Sequence, residues 1–375
     1  MKICYIIPNL NLGGAQTQVV MQANALSQQG IETQLIILGN EVPLLSEVNE
    51  NVSVEVLGFR GVNKVKASLF RRLLLTKAAV TKKVNSFEPT HILAVLQSAH
   101  FVARIAKNNF STSPKLWVYH RSTEYAQSPI NSLPKQFFHI LNCQLGKKHD
   151  YGHIHISNAV KEDIEAHFPT KNSHVLYNAV PNQNITEEQV AEAIALVAVK
   201  KNYIIIPGRL HPVKGHLFFL KATHNTLKDK GINIVIAGYG PMEQQIKQTT
   251  HALGIEKQVT ITGKLQNIEL LALMKGAIFV VIPSLEEGLG NVAIEALMLG
   301  KTVLSSNAGG LKEVIHDSTT GYVFNKGDEI DLSNKFSQLI TNTNMLLNEN
   351  FLTTYYKEQY LPDNQIVNLL SILNT

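Results

Sequence analysis

Two glutamates eight residues apart, Glu287 and Glu295, bracket the run Gly288-Leu289-Gly290-Asn291-Val292. An acid on each side of a glycine loop that opens a helix suits a ligand with both phosphates and hydroxyls. The helix's free amides meet the anion, and the carboxylates accept protons from the hydroxyls. Upstream, Arg209 and Lys214 flank a tight loop, and two cations at that spacing can grip a diphosphate, Arg by its fork and Lys as a point charge. Taken singly, each of the four is equally readable as a solvated charge; their shared geometry favours binding chemistry. In the first half, Gly13-Gly14 lets the backbone approach a ligand closely. It lacks the G-x-G-x-x-G spacing of a dinucleotide site, and a plain turn accounts for it as well. His120, followed by Arg121-Ser-Thr-Glu124, places an imidazole just after an apolar run, as a structural residue or as a group for chemistry. His149, His153 and His155 look like a metal set, but no cysteine or well-placed carboxylate completes it. Alternation along a strand accounts for them, and no metal site is expected.

The elements that must hold these residues follow from apolar runs and glycines. Residues 278–282 read as a buried strand ended by Pro283; Gly288 and Gly290 open the loop, Asn291 caps a helix over 292–299, and Gly300 closes it. Residues 203–207 form a strand that delivers Gly208-Arg209 and Lys214-Gly215. Further strands are expected at 232–237, with the turn Gly238-Tyr-Gly-Pro241 after it, and at 259–262, before Gly263-Lys264-Leu265. The amino-terminal half repeats the pattern. Residues 2–7 are a strand, 15–29 a helix closed by Gly30, and strands follow near 33–38, 53–57, 91–95, 115–119, 152–157 and 173–177. Strand, glycine loop and helix in alternation define an α/β protein of two doubly wound Rossmann-like domains, with ligands at the carboxyl ends of the strands. We place the first domain at 1–184 and the second at 200–350, with 181–200 as boundary.

Composition sets the bounds. A chain of 375 residues is long enough for two cores, and 45% hydrophobic with 17% charged residues describes a globular protein. Cys4 and Cys143 have no metal or redox spacing, so a reducing cytoplasm is expected; no signal peptide or membrane-spanning run is read. The net charge of +5 is uneven: residues 1–184 hold 18 Lys+Arg against 11 Asp+Glu, residues 185–375 hold 16 against 18. Much of the excess lies in 60–83, where Arg60, Lys64, Lys66, Arg71, Arg72, Lys77, Lys82 and Lys83 occur without an acid and interleave with apolar residues at helical spacing. This segment reads as a basic amphipathic helix, either solvated on its own domain or docked on an anionic membrane surface. Nucleic acid is not expected, since no binding motif accompanies the charge.

The whole constellation resembles the GT-B glycosyltransferases, specifically the retaining group called glycosyltransferase family 4. The resemblance rests on Gly13-Gly14-Ala15-Gln16, His120, Ser157-Asn-Ala-Val160, Asn178, Gly208-Arg209, Lys214-Gly215, Gly238, Gly240-Pro241, Glu287 with Glu295, and Gly309-Gly310 with Glu313. It implies two Rossmann-like domains facing across a cleft, a nucleotide-sugar donor on the second, an acceptor on the first, and a carboxyl-terminal helix (361–375) crossing back to the first. By the same carry-over Arg209 and Lys214 hold the diphosphate, amides of Gly290, Asn291 and Val292 its distal phosphate, Glu287 the sugar hydroxyls and Glu295 the ribose. Gly263, Lys264 and Leu265 frame the base, Gly14 approaches the phosphate or sugar, and His120 lies at the sugar's transferred face. Relatives often carry an aromatic residue where this chain has Leu289, and no D-x-D triplet is present, so cations rather than a metal are expected to meet the diphosphate. The implied reaction is hexose transfer from a UDP- or GDP-sugar to a lipid-linked or polysaccharide acceptor, as in lipopolysaccharide and other surface glycan assembly, by a cytoplasmic or peripheral membrane enzyme. An epimerase or sugar phosphorylase on the same fold, and a non-catalytic nucleotide-sugar-binding subunit, are the alternatives.

Overall fold

The computed structural model describes residues 1–59, 68–200 and 202–375, with side chains from residue 72 onward in the helix that begins at Ser68. Arg60, Lys64 and Lys66 of the basic segment lie outside the described residues, and so does the side chain of Arg71. Two compact units divide the chain: Met1–Ala179 together with Pro362–Thr375, and Val180–Leu361.

In unit 1 the order is β1 (Lys2–Ile7), α1 (Gly14–Gln28), β2 (Glu32–Ile37), β3 (Ser53–Val56), α2 (Ser68–Phe87), β4 (His91–Val95), α3 (Gln97–Ala106), β5 (Lys115–His120), α4 (Glu124–Gln127), α5 (Leu133–His149), β6 (Gly152–His155), α6 (Asn158–Glu165) and β7 (Ser173–Val175). Among the described residues the strands form one parallel sheet ordered β3-β2-β1-β4-β5-β6-β7. Apolar runs such as Ile3-Cys-Tyr-Ile-Ile7 suit this arrangement, because a parallel sheet is covered on both faces and its strands need no polar side. The order reverses between β1 and β4, the place where such sheets leave a crevice at their carboxyl ends. The expected strand 115–119 runs one residue further, so His120 is the last residue of β5 and not part of the loop after it.

Unit 2 comprises α7 (Glu187–Leu196), β8 (Tyr203–Pro207), α8 (His216–Lys230), β9 (Asn233–Ala237), α9 (Glu243–Ala252), β10 (Val259–Ile261), α10 (Asn267–Gly276), β11 (Val280–Ile282), α11 (Asn291–Met298), β12 (Val303–Ser306), α12 (Leu311–Val314), β13 (Tyr322–Phe324), α13 (Glu329–Thr341) and α14 (Glu349–Tyr360). Its described strands are ordered β10-β9-β8-β11-β12-β13, all parallel, with the reversal between β8 and β11. Ile204, Ile206, Phe219, Leu227, Ile234, Phe279, Val281 and Phe336 fill one core face. Within the boundary 181–200, α7 starts at a capping box: the Thr186 hydroxyl accepts from the Gln189 amide, and the Gln189 side chain accepts from the Thr186 amide. Helix α14 packs on α11 within unit 2.

The last helix, α15 (Pro362–Leu373), belongs to unit 1. Ile366, Leu369 and Leu373 are fully buried, and the helix packs on α1. Gln365 donates to the Tyr177 carbonyl at 2.6 Å and accepts from Gln22 at 3.0 Å.

Candidate functional site

In unit 2 the loops after β8 and β11 flank the reversal of strand order, and backbone contacts lock them together. Leu285 donates its amide to the Val213 carbonyl at 2.7 Å. Gly215, at φ +71°, caps α8 in the left-handed region, and a Cβ there would lie 1.8 Å from the Pro283 carbonyl oxygen. Only glycine permits both the turn and the approach. A third loop joins on the other side: Gly310 donates to the Glu287 carbonyl at 3.2 Å, and a Cβ on Gly309 would stand 1.9 Å from that same oxygen. The loop carrying Glu287 is thus gripped from two directions.

These constraints bring Lys214 to Glu287, across 73 residues of sequence, with Nζ 2.5 Å from Oε2. The Ser284 hydroxyl donates to the same Oε2 at 3.3 Å. Both partners of the ion pair remain partly open, at 22% and 17% side-chain exposure, which is enough for a ligand to reach them. Arg209 is exposed, and its guanidinium has no ion-pair partner among the described residues.

At the start of α11 the expected cap is corrected. Gly290, at φ +92°, is the cap, makes no side-chain capping bond, and leaves Asn291 as the first helical residue. The chain enters this helix through a left-handed turn, which favours glycine over a side-chain cap. The amides of Asn291 and Val292 stand at the positive end of the helix dipole. Leu289 is buried. Glu295 lies one turn further on, half-buried, and desolvation pushes its carboxyl up to about 7. Arg209, Lys214, Glu287, Gly290, Asn291, Val292 and Glu295 are therefore all carried by the loops and helix start beside the reversal. Gly263, Lys264 and Leu265 are not: they follow β10, the edge strand two places from β8. Gly263 takes φ +73° there, and Lys264 is exposed.

In unit 1, Gly14 is the exposed first residue of α1, just beyond β1. His120 is buried within a cluster of histidines. Its Nε2 is 3.1 Å from Nδ1 of His153, and its Nδ1 faces Glu124 Oε1 at 3.5 Å, an ion-pair distance. The His155 ring stacks on it at 5.0 Å between centroids, and His100 of α3 meets it edge-on at 5.1 Å. Behind His153 stands Asp150, in a buried bidentate pair with Arg104. Burial, with His120 adding to it, holds His100 down at about 3 and His155 at about 2, and depresses His153 as well. Burial works against the charge on Glu124, but the bond and charge of His120 outweigh it and hold the carboxyl at about 2.

Alternation on β6 puts His153 and His155 on one face, as expected, while His149 ends α5 apart from them. His100, His120 and Glu124, a different set from the three histidines weighed in the sequence, place donor atoms within 4.8 Å of one another, close enough together to hold a metal ion. The roles of His100, Arg104 and Asp150 escaped the sequence reading, since they are set by sheet order and not by local spacing.

Two doubly wound parallel sheets, each with a reversal of strand order that leaves a crevice at its carboxyl ends, are the architecture of the GT-B transferases. The comparisons agree. Residues 12–183 match the family described as Glycosyltransferase Family 4, and residues 187–351 match Glycosyl transferases group 1. Among curated relatives, an uncharacterised glycosyltransferase of Methanocaldococcus jannaschii is 26% identical over 86% of this chain and 84% of its own. The GalNAc-alpha-(1->4)-GalNAc-alpha-(1->3)-diNAcBac-PP-undecaprenol alpha-1,4-N-acetyl-D-galactosaminyltransferase of Campylobacter jejuni is 24% identical over 96% and 97%. Among solved structures, Anabaena HepE in complex with UDP superposes with a TM-score of 0.81 at 19% identity, covering all of both chains. The chain is a glycosyltransferase of the GT-B fold.

Proposed function

We propose that this protein is a retaining hexosyltransferase that takes its sugar from a nucleotide diphosphate donor, as family 4 enzymes do, and passes it to a lipid-linked or polysaccharide acceptor in surface glycan assembly. The observation that carries the reading is the Lys214–Glu287 pair beside the amino terminus of α11, with the free guanidinium of Arg209 in the loop that precedes it. An incoming diphosphate draws on Lys214, Arg209 and the amides of Gly290, Asn291 and Val292. Glu287, released in part from Lys214, accepts from sugar hydroxyls, and Glu295 accepts from the ribose. These fixed charges stabilise the diphosphate as it departs, so no metal is needed to clamp it. Gly263, Lys264 and Leu265 frame the base from the sheet edge. From unit 1 we assign Gly14 and His120, both at carboxyl ends of strands, to the sugar. The UDP held by HepE and the undecaprenol-linked acceptor of the Campylobacter enzyme support a UDP-sugar and a lipid-linked acceptor.

A thermal-shift screen of UDP- and GDP-sugars tests the donor: a ligand at about 100 times its dissociation constant adds about 2.7 kcal/mol of stability. NMR of the product then reads the anomeric configuration, and turnover in a chelator reads metal dependence. Inverted product, or activity abolished by chelator and restored by a divalent cation, overturns the corresponding part of the proposal.

A further inference from the structure

We propose that His100, His120 and Glu124 of unit 1 form a binding site for one divalent transition-metal ion, zinc being the best fit to the donor set. The site lies in unit 1 and not at the diphosphate loops of unit 2. One consequence, competition between metal and sugar for His120, rests on the transferase reading above; the site itself does not.

The three donors come from three elements: His100 from α3, His120 from the end of β5, and Glu124 from the first residue of α4. Both histidines are buried, and the Glu124 side chain, 11% exposed, is the rim past which an ion would enter. Each donor has its other polar atom already engaged. Nε2 of His100 lies 3.2 Å from the Tyr119 carbonyl, which can only accept, so Nε2 carries the proton of the neutral ring and Nδ1 keeps a bare lone pair. Glu124 accepts from Gln97 on Oε2 at 2.9 Å, which leaves Oε1 clear of that bond. His120 is engaged at Nε2 by His153 at 3.1 Å, and its buried Nδ1 has no hydrogen-bond partner among the described residues. Fixing one ring nitrogen by a carbonyl or a further hydrogen-bonded group is how proteins orient histidine for a metal.

The same groups are short of a proton that a cation would replace. Glu124, His120, His153 and Asp150 stand in a row joined by three links of 3.5, 3.1 and 3.5 Å. Two neutral imidazoles bring one N–H each, so two links can hold a proton and the third sets lone pairs against each other. The outer nitrogens, Nδ1 of His120 and Nε2 of His153, are the ones without hydrogen-bond partners. With an ion on Nδ1 of His120, its Nε2–H donates to His153, and Nε2–H of His153 donates to Asp150, whose charge Arg104 already balances. Glu124 then meets the ion, and all three links are filled. Two imidazoles and a carboxylate are a donor set that zinc takes, with a fourth position for water. Ligands about 2.1 Å from a tetrahedral ion stand about 3.4 Å apart, so side-chain rotation closes the set onto it. An ion on Nδ1, with Nε2 given to His153, leaves His120 no nitrogen for a sugar hydroxyl, and zinc should inhibit transfer.

Calorimetric titration of zinc into the full chain, stripped with a chelator beforehand, is expected to show one equivalent bound. Cobalt(II) in its place should give the visible d–d absorption of a low-coordinate site. His100→Ala/Glu124→Gln removes two ligands and should weaken zinc by about a hundredfold or more, and His153→Ala, which removes only the partner of His120, by about 10- to 100-fold. Melting curves show which variants are folded, and the wild-type titration stands whether or not they are. No stoichiometric zinc binding in wild type overturns the inference, and so does equal affinity in wild type and a folded double variant. Nitrogen-15 spectra of the histidines separate ion from proton: one equivalent of zinc should move the Nδ1 resonance of His120. A His120 protonated on both nitrogens and unmoved by zinc overturns the inference, because a proton then fills the third link. Turnover measured on the same samples separates this from the transferase reading. Stoichiometric zinc without inhibition keeps the site and takes His120 from the sugar; a protein that binds zinc and transfers no sugar keeps the site and overturns that reading.

Discussion

Replacing Glu295 by Gln should flatten the pH dependence of donor binding. Burial pushes the carboxyl up to about 7 in the free protein, so it is roughly one-tenth ionised near pH 6 and nine-tenths ionised near pH 8. A ribose diol donates to the carboxylate form, and the binding-competent fraction sets the apparent affinity. Wild-type affinity should therefore rise about tenfold between those two pH values. A nucleotide sugar is the ligand to use, because both its phosphates are diesters and do not titrate near neutrality. Glu295→Gln has no such group, and its affinity should be nearly level. The same shift acts on stability. The folded-state pKa lies above the unfolded one, so the carboxyl favours folding in acid, and its contribution is lost as pH rises from about 4.5 to about 7, by about 3 kcal/mol. The Gln variant should lose that slope in a melting series. Isothermal titration across the range decides the matter: an identical pH dependence in wild type and variant, or wild-type affinity that rises toward acid, refutes the assignment of Glu295 to a hydroxyl.

Arg209→Ala removes an exposed cation facing charge that grows on the leaving diphosphate, so kcat should fall by about 3 kcal/mol in barrier with a smaller loss in donor affinity; normal steady-state turnover would remove Arg209 from the site. Glu287→Gln frees Lys214 from its 2.5 Å partner, so free UDP should bind at least as tightly while turnover drops, and titration beside a rate assay reads both. Gly215→Ala meets the Pro283 carbonyl at 1.8 Å and a left-handed φ of +71°, and should cost about 3 kcal/mol in denaturant unfolding. Asp150→Asn leaves Arg104 buried without its counter-charge, for about 3–5 kcal/mol of stability, read in the same way.

The fold was legible because parallel strands buried on both faces write themselves as apolar runs, and most of the runs here are followed within a few residues by a glycine or proline that turns the chain. The loop residues were legible for the same reason: Arg209, Lys214, Glu287 and Glu295 sit just beyond such runs. Their mutual contacts were not. Lys214 and Glu287 meet because β8 and β11 are neighbours in the sheet, a pairing of strands distant in sequence that no local pattern encodes. Asn291 was read as a cap from its residue type, whereas the left-handed turn at Gly290 decides the start of α11. His120 was read as a loop residue, and one more residue of pairing, to His155, draws it into the sheet and among the histidines.

The placement of α15 bears on how the chain is made. Unit 1 is closed by residues that leave the ribosome only after the whole of unit 2 has been synthesised. Until then Gln22 lacks its partner Gln365, the side chain of His91 lacks the Leu373 carbonyl, and the surface of α1 that receives Ile366 and Leu369 is open to water. Unit 2 is continuous in sequence and can close first. The usual amino-to-carboxyl order of domain completion is thereby reversed, and the nascent first unit is the one that would call on a chaperone.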